Sequence, residues 1–272
     1  RVREALSYAY DHEWINKTIY QNAYVRTDSY FDNSPLASSG LPSDKELELL
    51  NPWKNQLPAE VFSETFSPPK TDGSGNDRKN LLMAKEILEK EGWFIENGKL
   101  IKNGEEFKFE FLIVSPSDEK IALAFQSNLK KLGITMDVRT VDSSQYQARL
   151  LNYDFDMIKR YWGVSLSPGN EQQFYWGSEV GKKDGSRNYA GIDSPVVDAL
   201  IKNLINATDR EELTTAIHAL DRVLLWGHYV VPLYHSNKDR IAYWNFFEYP
   251  DKIPLYGIVI ESWWLNKDKQ IN

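Results

Sequence analysis

The 272 residues carry 32 Lys and Arg against 39 Asp and Glu, a formal net charge of −7, which argues against a general nucleic-acid binder because such a protein needs a basic face to neutralise phosphates. A content of 42% hydrophobic and 26% charged residues excludes a mostly disordered chain, and no apolar run approaches the roughly 18 residues of a membrane span. The absence of cysteine removes disulfides, thiolate metal sites and a cysteine nucleophile, while 9 Trp, 15 Tyr and 12 Phe can build thick cores and line clefts for apolar or planar ligands.

The length suits one large domain or two small ones. The chain opens directly on helical sequence, with Val2, Ala5, Leu6, Ala9 and Tyr10 on one face, and residues 11–19 continue that helix or start a second. No secretory leader is legible, so the chain is expected to be a fragment or a mature piece of something longer. Residues 22–76 are punctuated by Pro35, Pro42, Pro52, Pro58, Pro68 and Pro69 and read as a long aromatic-bearing loop with short helices at most, such as residues 43–50. A regular pattern follows. Residues 77–91 read as a helix stopped by Gly92, and Asn97-Gly98 and Asn103-Gly104 mark tight turns of a small hairpin.

Phe107, Phe109, Phe111 and Ile113 alternate as a strand; Ser117 can cap a helix carrying Ile121, Phe125 and Leu129, which Gly133 ends. Ile134, Met136 and Val138 alternate again. This β-α-β order implies parallel strands. A further helix over 144–151 leads to a third strand over 155–161, making an α/β sheet. Ligands in such sheets sit beyond the carboxyl ends of the strands, here 114–117, 140–143 and 160–170. Residues 170–192 read as a Gly-rich polar connection. Two helices follow, one capped by Ser194 with Pro195 at its first position, the other opened by the Thr208-Asp-Arg-Glu211 box. Residues 230–234 read as a short strand, and the aromatic sequence from Arg240 onward as short extended pieces.

No ligand spacing joins His12, His218, His228 and His235, although His228 and His235 flank the 230–234 strand and could approach each other. No metal or cofactor is expected. Asp154 and Asp156 could form an acid/base couple, which leaves a glycoside hydrolase-like enzyme as the alternative to a binding protein. The segment from Arg160 to Gln172 leaves the third strand with Arg, Trp, Gly, Ser, Asn and Glu. Arg can fork onto a carboxylate, Trp can wall a side-chain pocket, and Gly and Ser expose backbone to an extended chain.

Several segments together resemble family-5 extracellular solute-binding proteins of ABC importers, the oligopeptide, dipeptide and nickel binders. Arg1-Val-Arg-Glu-Ala-Leu-Ser-Tyr-Ala-Tyr-Asp11 resembles the helix that opens their second lobe, and Ala84 to Trp93 their "A-x-x-L-L-x-x-A-G-W" helix. Leu129-Lys-Lys-Leu-Gly-Ile134, Tyr153-Asp-Phe-Asp-Met157, Trp162-Gly163, Ser194 to Leu200 and residues 221–234 are similar to further stretches in the same order. The version around Trp162 looks most like the subgroup serving peptide and microcin C uptake.

The resemblance implies an α/β lobe of the periplasmic-binding-protein type, with a mixed, largely parallel sheet flanked by helices. Residues 1–239 would form the second lobe of a two-lobed clamp, with 22–76 a long loop region within it. Residues 240–272 would be a tail crossing back towards a missing amino-terminal lobe, its aromatics, Tyr256 among them, exposed, self-packed or buried in another copy. The partners would be a peptide or peptide-like ligand and the membrane permease of the importer, in the periplasm. The ligand residues expected are Arg160, Tyr161, Trp162, Gly163, Ser165, Asn170, Glu171 and Gln172. One departure is visible: the peptide binders place an Asp shortly after the Trp to hold the peptide's α-ammonium, and here Val164-Ser165-Leu166-Ser167 has no carboxylate. Glu171 or Asp142 could take that role.

Overall fold

A computed structural model describes residues 1–255 and 257–269. Two compact units divide the chain, 1–235 and 236–272.

The first unit begins with α1 (Val2–Ala9) and α2 (His12–Thr18). The break between them is fixed by Asp11, whose side chain accepts from the Trp14 amide as the cap of α2. After β1 (Val25–Arg26), the Pro-rich stretch holds α3 (Asp44–Leu50), a 3₁₀ turn over Asn51–Trp53 and α4 (Glu60–Ser63). Ser43 and Glu46 close a full capping box on α3. Next come α5 (Arg78–Lys90), capped by Asp77, and an antiparallel sheet of β2 (Phe94–Glu96), β3 (Lys99–Lys102) and β4 (Glu105–Glu106), turned at Asn97-Gly98 and Asn103-Gly104.

The β-α-β unit is β5 (Lys108–Ile113), α6 (Pro116–Lys131) and β6 (Thr135–Thr140). The helix starts two residues earlier than its Ser117 cap reading requires. Ser115 is the cap, and Pro116 takes the first helical position, where its missing N–H costs nothing. Gly133 ends α6 at φ +76°, and a Cβ there would lie 2.8 Å from the Leu100 amide nitrogen. That amide donates to the Gly133 carbonyl at 2.7 Å, so the small sheet is stitched to the turn at a distance only glycine allows. After α7 (Ser143–Leu151), β7 pairs only over Met157–Ile158, much shorter than the strand predicted over 155–161. The sheet order is β6-β5-β7, all parallel.

Alternation along β5 divides its side chains. Phe109, Phe111 and Ile113 join a core with Leu6, Tyr10, Phe125 and Leu129, while Leu112 faces Val141, Tyr146 and Leu150 beside α7. Both sheet faces are therefore covered, as parallel sheets require.

The expected polar connection over 170–192 contains α8 (Glu171–Trp176) and α9 (Ser178–Gly181). They lead to α10 (Pro195–Asn206) and α11 (Arg210–Trp226). Asp209, not Thr208, caps α11; the Thr208 amide and hydroxyl both donate to Glu212 instead. A second core joins α10 and α11 to Phe31, Leu36, Leu50, Val61 and Trp176. The predicted strand over 230–234 pairs only at β8 (Tyr234–His235), antiparallel to β1. Pro232 cannot donate to a ladder, which is why pairing begins after it.

The second unit pairs β9 (Phe247–Glu248) with β10 (Trp264–Leu265). Its aromatics pack among themselves: Trp263 lies 4.9 Å from Tyr243 and 5.1 Å from Tyr249, and Trp244 stacks on Phe246. Trp244, Leu255 and Ile260 are strongly exposed. Tyr256 lies outside the described residues.

Candidate functional site

A cavity of about 650 Å³ opens in the first unit. One wall is the Phe109 and Phe111 face of β5, with Leu6 of α1 and Tyr10 just after it alongside. Another is the chain leaving β7, from Lys159 to Trp162 with Val164. The loop at 27–32 and the segment 228–235 complete it. The strand ends 114–117 and 140–143 do not line it. Val114 packs with Val141, Tyr146 and Leu150, and Asp142 accepts from the Gln145 amide as the cap of α7.

The structure divides the eight residues singled out in sequence. Arg160, Tyr161 and Trp162 line the cavity. Tyr161 is 86% exposed and Arg160 is also exposed. The Arg160 guanidinium lies over the Tyr189 ring, 5.1 Å from its centroid, and has no ion-pair partner among the described residues. Trp162 is half-buried, 4.9 Å from Trp176, and its indole N–H has no acceptor among the described residues.

Gly163, Ser165, Asn170, Glu171 and Gln172 lie outside the lining. Because β7 is so short, the chain leaves the sheet early, and Asn170 to Gln172 start α8. The Ser165 hydroxyl accepts from the Ser167 amide, Glu171 accepts from the Gly169 amide, and the buried Gln172 accepts from the Trp176 indole. Of the carboxylates considered for a ligand ammonium, neither Glu171 nor Asp142 reaches the cavity.

The periodic reading missed a polar chain on the wall. Lys159 Nζ lies 2.5 Å from Asp118 Oδ1 and donates to the Tyr234 hydroxyl at 3.0 Å. The Tyr234 hydroxyl in turn lies 2.7 Å from that of Tyr20. Asp118 belongs to the first turn of α6, where the helix dipole favours its charge. Nothing in sequence spacing links these groups, since they come from four distant stretches of the chain.

Asp32 and His235 were missed as a pair for the same reason. Asp32 Oδ2 accepts from the amides of Asp28 and Ser29 and lies 3.4 Å from His235 Nδ1. Burial and the nearby Asp28 charge push the Asp32 carboxyl up to about 7, against its two amide bonds. Burial lowers the His235 imidazole below its ordinary value. His228, which also borders the cavity, packs instead near Phe66 and Trp226.

Two buried groups on α11 hold the 27–46 segment in place. Asp221 accepts from the Ser29 hydroxyl, the Tyr30 amide, and the Ser38 amide and hydroxyl. Arg222 binds Glu46 at 2.6 Å and donates to the carbonyls of Ser39, Gly40 and Leu41.

The hydrolase alternative finds no couple here. Asp154 lies outside the cavity and pairs with Arg149 at 2.9 Å, while Asp156, on the lining, accepts from the Glu110 amide at 2.8 Å.

Residues 1–184 match the family model for the middle region of bacterial extracellular solute-binding proteins, family 5. The chain is 48% identical over 267 residues to an uncharacterized protein y4wM of Sinorhizobium fredii, covering 97% of this chain and 40% of that one. It is 42% identical to the peptidoglycan-binding protein YepA of Agrobacterium fabrum, covering 97% of this chain and 43% of the relative. It thus spans less than half the length of these relatives. In fold it is similar to the oligopeptide-binding protein AppA of Bacillus subtilis, solved with a nonapeptide: TM-score 0.66, 23% identity, 98% of this chain and 47% of that one.

Proposed function

The chain belongs to family 5 of the bacterial extracellular solute-binding proteins, a family of binding proteins and not of enzymes, and from that premise we propose that it forms the second lobe of a two-lobed clamp for oligopeptides or peptide-like compounds. The clamp would serve as the periplasmic substrate-binding component of an ABC importer and deliver its ligand to a membrane permease. The observation that carries this reading is the composition of the cavity wall. Aromatic and apolar surface surrounds a few polar anchors, and Arg160, which has no ion-pair partner among the described residues, suits a peptide carboxylate or carbonyl. Among the described residues no helix is long and apolar enough to cross a membrane. Relatives named for peptidoglycan and for a bound nonapeptide support a ligand with a peptide backbone. The exposed apolar side chains of residues 244–260 would meet the first lobe.

Trp162→Ala tests the reading. The ring lines the cavity and packs on Trp176, so its loss removes both a pocket wall and core contacts. In the full-length polypeptide, calorimetry with an oligopeptide mixture should show affinity weakened by about 2 kcal/mol or more. Thermal melting should fall as well, since a large half-buried side chain packed on Trp176 is truncated. Unchanged affinity beside a lowered melting temperature would place Trp162 in the core alone.

A further inference from the structure

We propose that binding of ligand in the cavity takes up a proton on a cluster of Asp28, Asp32 and His235, so that the acidity of the surroundings sets the affinity; this rests on the peptide reading above. The cluster sits where β1 and β8 pair, with Val25 opposite His235. Asp32 and His235 both line the cavity. Asp32 Oδ2 lies 3.4 Å from His235 Nδ1, and the Thr27 hydroxyl lies 3.3 Å from the same nitrogen. The Asp28 amide donates to Asp32 Oδ2 at 2.8 Å, and the turn this closes brings the two carboxyls together. Two carboxyls in contact cannot both ionise without repulsion, and a proton between them turns that repulsion into a hydrogen bond.

The other charged groups of this region are engaged elsewhere. Among the described residues no Lys or Arg makes an ion pair with Asp28 or Asp32. Arg3 donates to the Gly227 and His228 carbonyls, Lys159 binds Asp118, and the Arg160 guanidinium lies over Tyr189. Asp156 accepts from the Glu110 amide, and His228 packs near Phe66 and Trp226. On α11, behind the loop, Asp221 is taken up by Ser29, Tyr30 and Ser38. The proton on the cluster therefore answers to Asp28, to His235 and to water.

A ligand against this wall removes the water. The Asp32 side chain is 15% exposed, and burial and the Asp28 charge already push its carboxyl up to about 7. Further desolvation disfavours the charged form, so the occupied cavity holds the proton more tightly than the free one. By linkage, affinity is greatest below about pH 7 and falls as pH rises through the higher value of the bound state. His235 works in the opposite sense, because burial disfavours its charged form, but it titrates below 6.5 and leaves the range above to Asp32.

The test takes the tri- to hexapeptide best retained from a random library by the full-length polypeptide at about pH 7. Its binding is measured by calorimetry in buffers of different ionisation enthalpy, since the dependence of the heat on the buffer counts the protons exchanged. The peptide's own amino terminus titrates in the same range, so the quantity read is the difference between wild type and Asp32→Asn. Wild type should take up roughly 0.3–0.5 proton more per ligand at about pH 7, and should lose about fivefold more affinity between about pH 6.5 and 8.5. Asp28→Asn, at an exposed position, serves if the first variant fails to fold; its amide donates to Asp32, favours the charged form and should remove about half of the uptake or more. No difference between wild type and whichever variant folds, or proton release in place of uptake, overturns the proton linkage while leaving the peptide reading intact. Retention of no peptide by wild type between about pH 6 and 8.5 overturns both.

Discussion

Asp221→Ala should lower the unfolding free energy by about 3–5 kcal/mol, the cost of emptying one side of a fully buried hydrogen-bond network. The carboxylate is 0% exposed and takes four hydrogen bonds, from the Ser29 hydroxyl at 2.8 Å, the Tyr30 amide at 2.8 Å, the Ser38 amide at 3.0 Å and the Ser38 hydroxyl at 2.7 Å. Each donor is left without its partner by the truncation, and each unsatisfied buried group costs about 1–3 kcal/mol before relaxation. Relaxation is restricted because Phe31 and Leu36 of the same segment are buried in the α10–α11 core. Asp221→Asn should recover only part of the loss, since its amide presents N–H groups to donors. Urea unfolding measures both variants. A midpoint for Asp221→Ala indistinguishable from wild type would mean that the 29–38 segment is not held by this carboxylate.

Arg222→Met should cost a similar amount, about 3–5 kcal/mol, by stranding the buried Glu46 carboxylate and three carbonyls. Replacing both partners, Glu46→Met with Arg222→Met, should cost less than the sum of the two single changes, because the double variant leaves no unpaired buried charge. The same pair predicts a pH dependence. Burial alone raises the Glu46 carboxyl, but His218 and Arg222 outweigh it and hold the group at about 2, below its ordinary 4.5. A depressed carboxyl pKa stabilises the fold fully above 4.5, and the contribution is lost as pH falls towards about 2. His218 is raised above 6.5, chiefly by Glu46, so its contribution is full below that value and is lost as pH rises through the folded pKa. Glu46→Gln should therefore flatten the acid limb of stability between about pH 4.5 and 2. It should also reduce the fall above pH 6.5 that His218 contributes. An unchanged acid limb would contradict the assignment.

The elements that sequence made legible are those whose signals are local. Ser194 caps a helix where polar side chain and apolar period meet, and Gly133 ends α6 because only its φ fits. The β5–α6–β6 unit follows from alternation on both strands around one helical period. Errors arose where pairing or capping depended on neighbours. The apolar pattern from Phe155 onward suggested a full strand, yet only Met157 and Ile158 find a partner on β5. Asn170 to Gln172 looked like loop because six residues give too little period to reveal α8, which is held by tertiary packing of Trp176.

The site divided along the same line. Arg160, Tyr161 and Trp162 were visible as chemistry-bearing residues leaving a strand. Asp32 stood inside a Pro-rich stretch with no periodicity, and Asp221, 189 positions away, helps to hold that stretch against the cavity wall. No local pattern could pair Asp118 with Lys159, or Asp32 with His235, because each pair closes between distant elements.

The central claim is that the cavity holds a ligand with a peptide backbone. Its most direct test is to purify the full-length polypeptide under native conditions, denature it, and identify the released small molecules by mass spectrometry. Peptides or peptide-containing fragments in near-stoichiometric amount, reduced in Trp162→Ala, are the result expected. Release of a sugar or a metal chelate with no peptide, at the same stoichiometry, would contradict it.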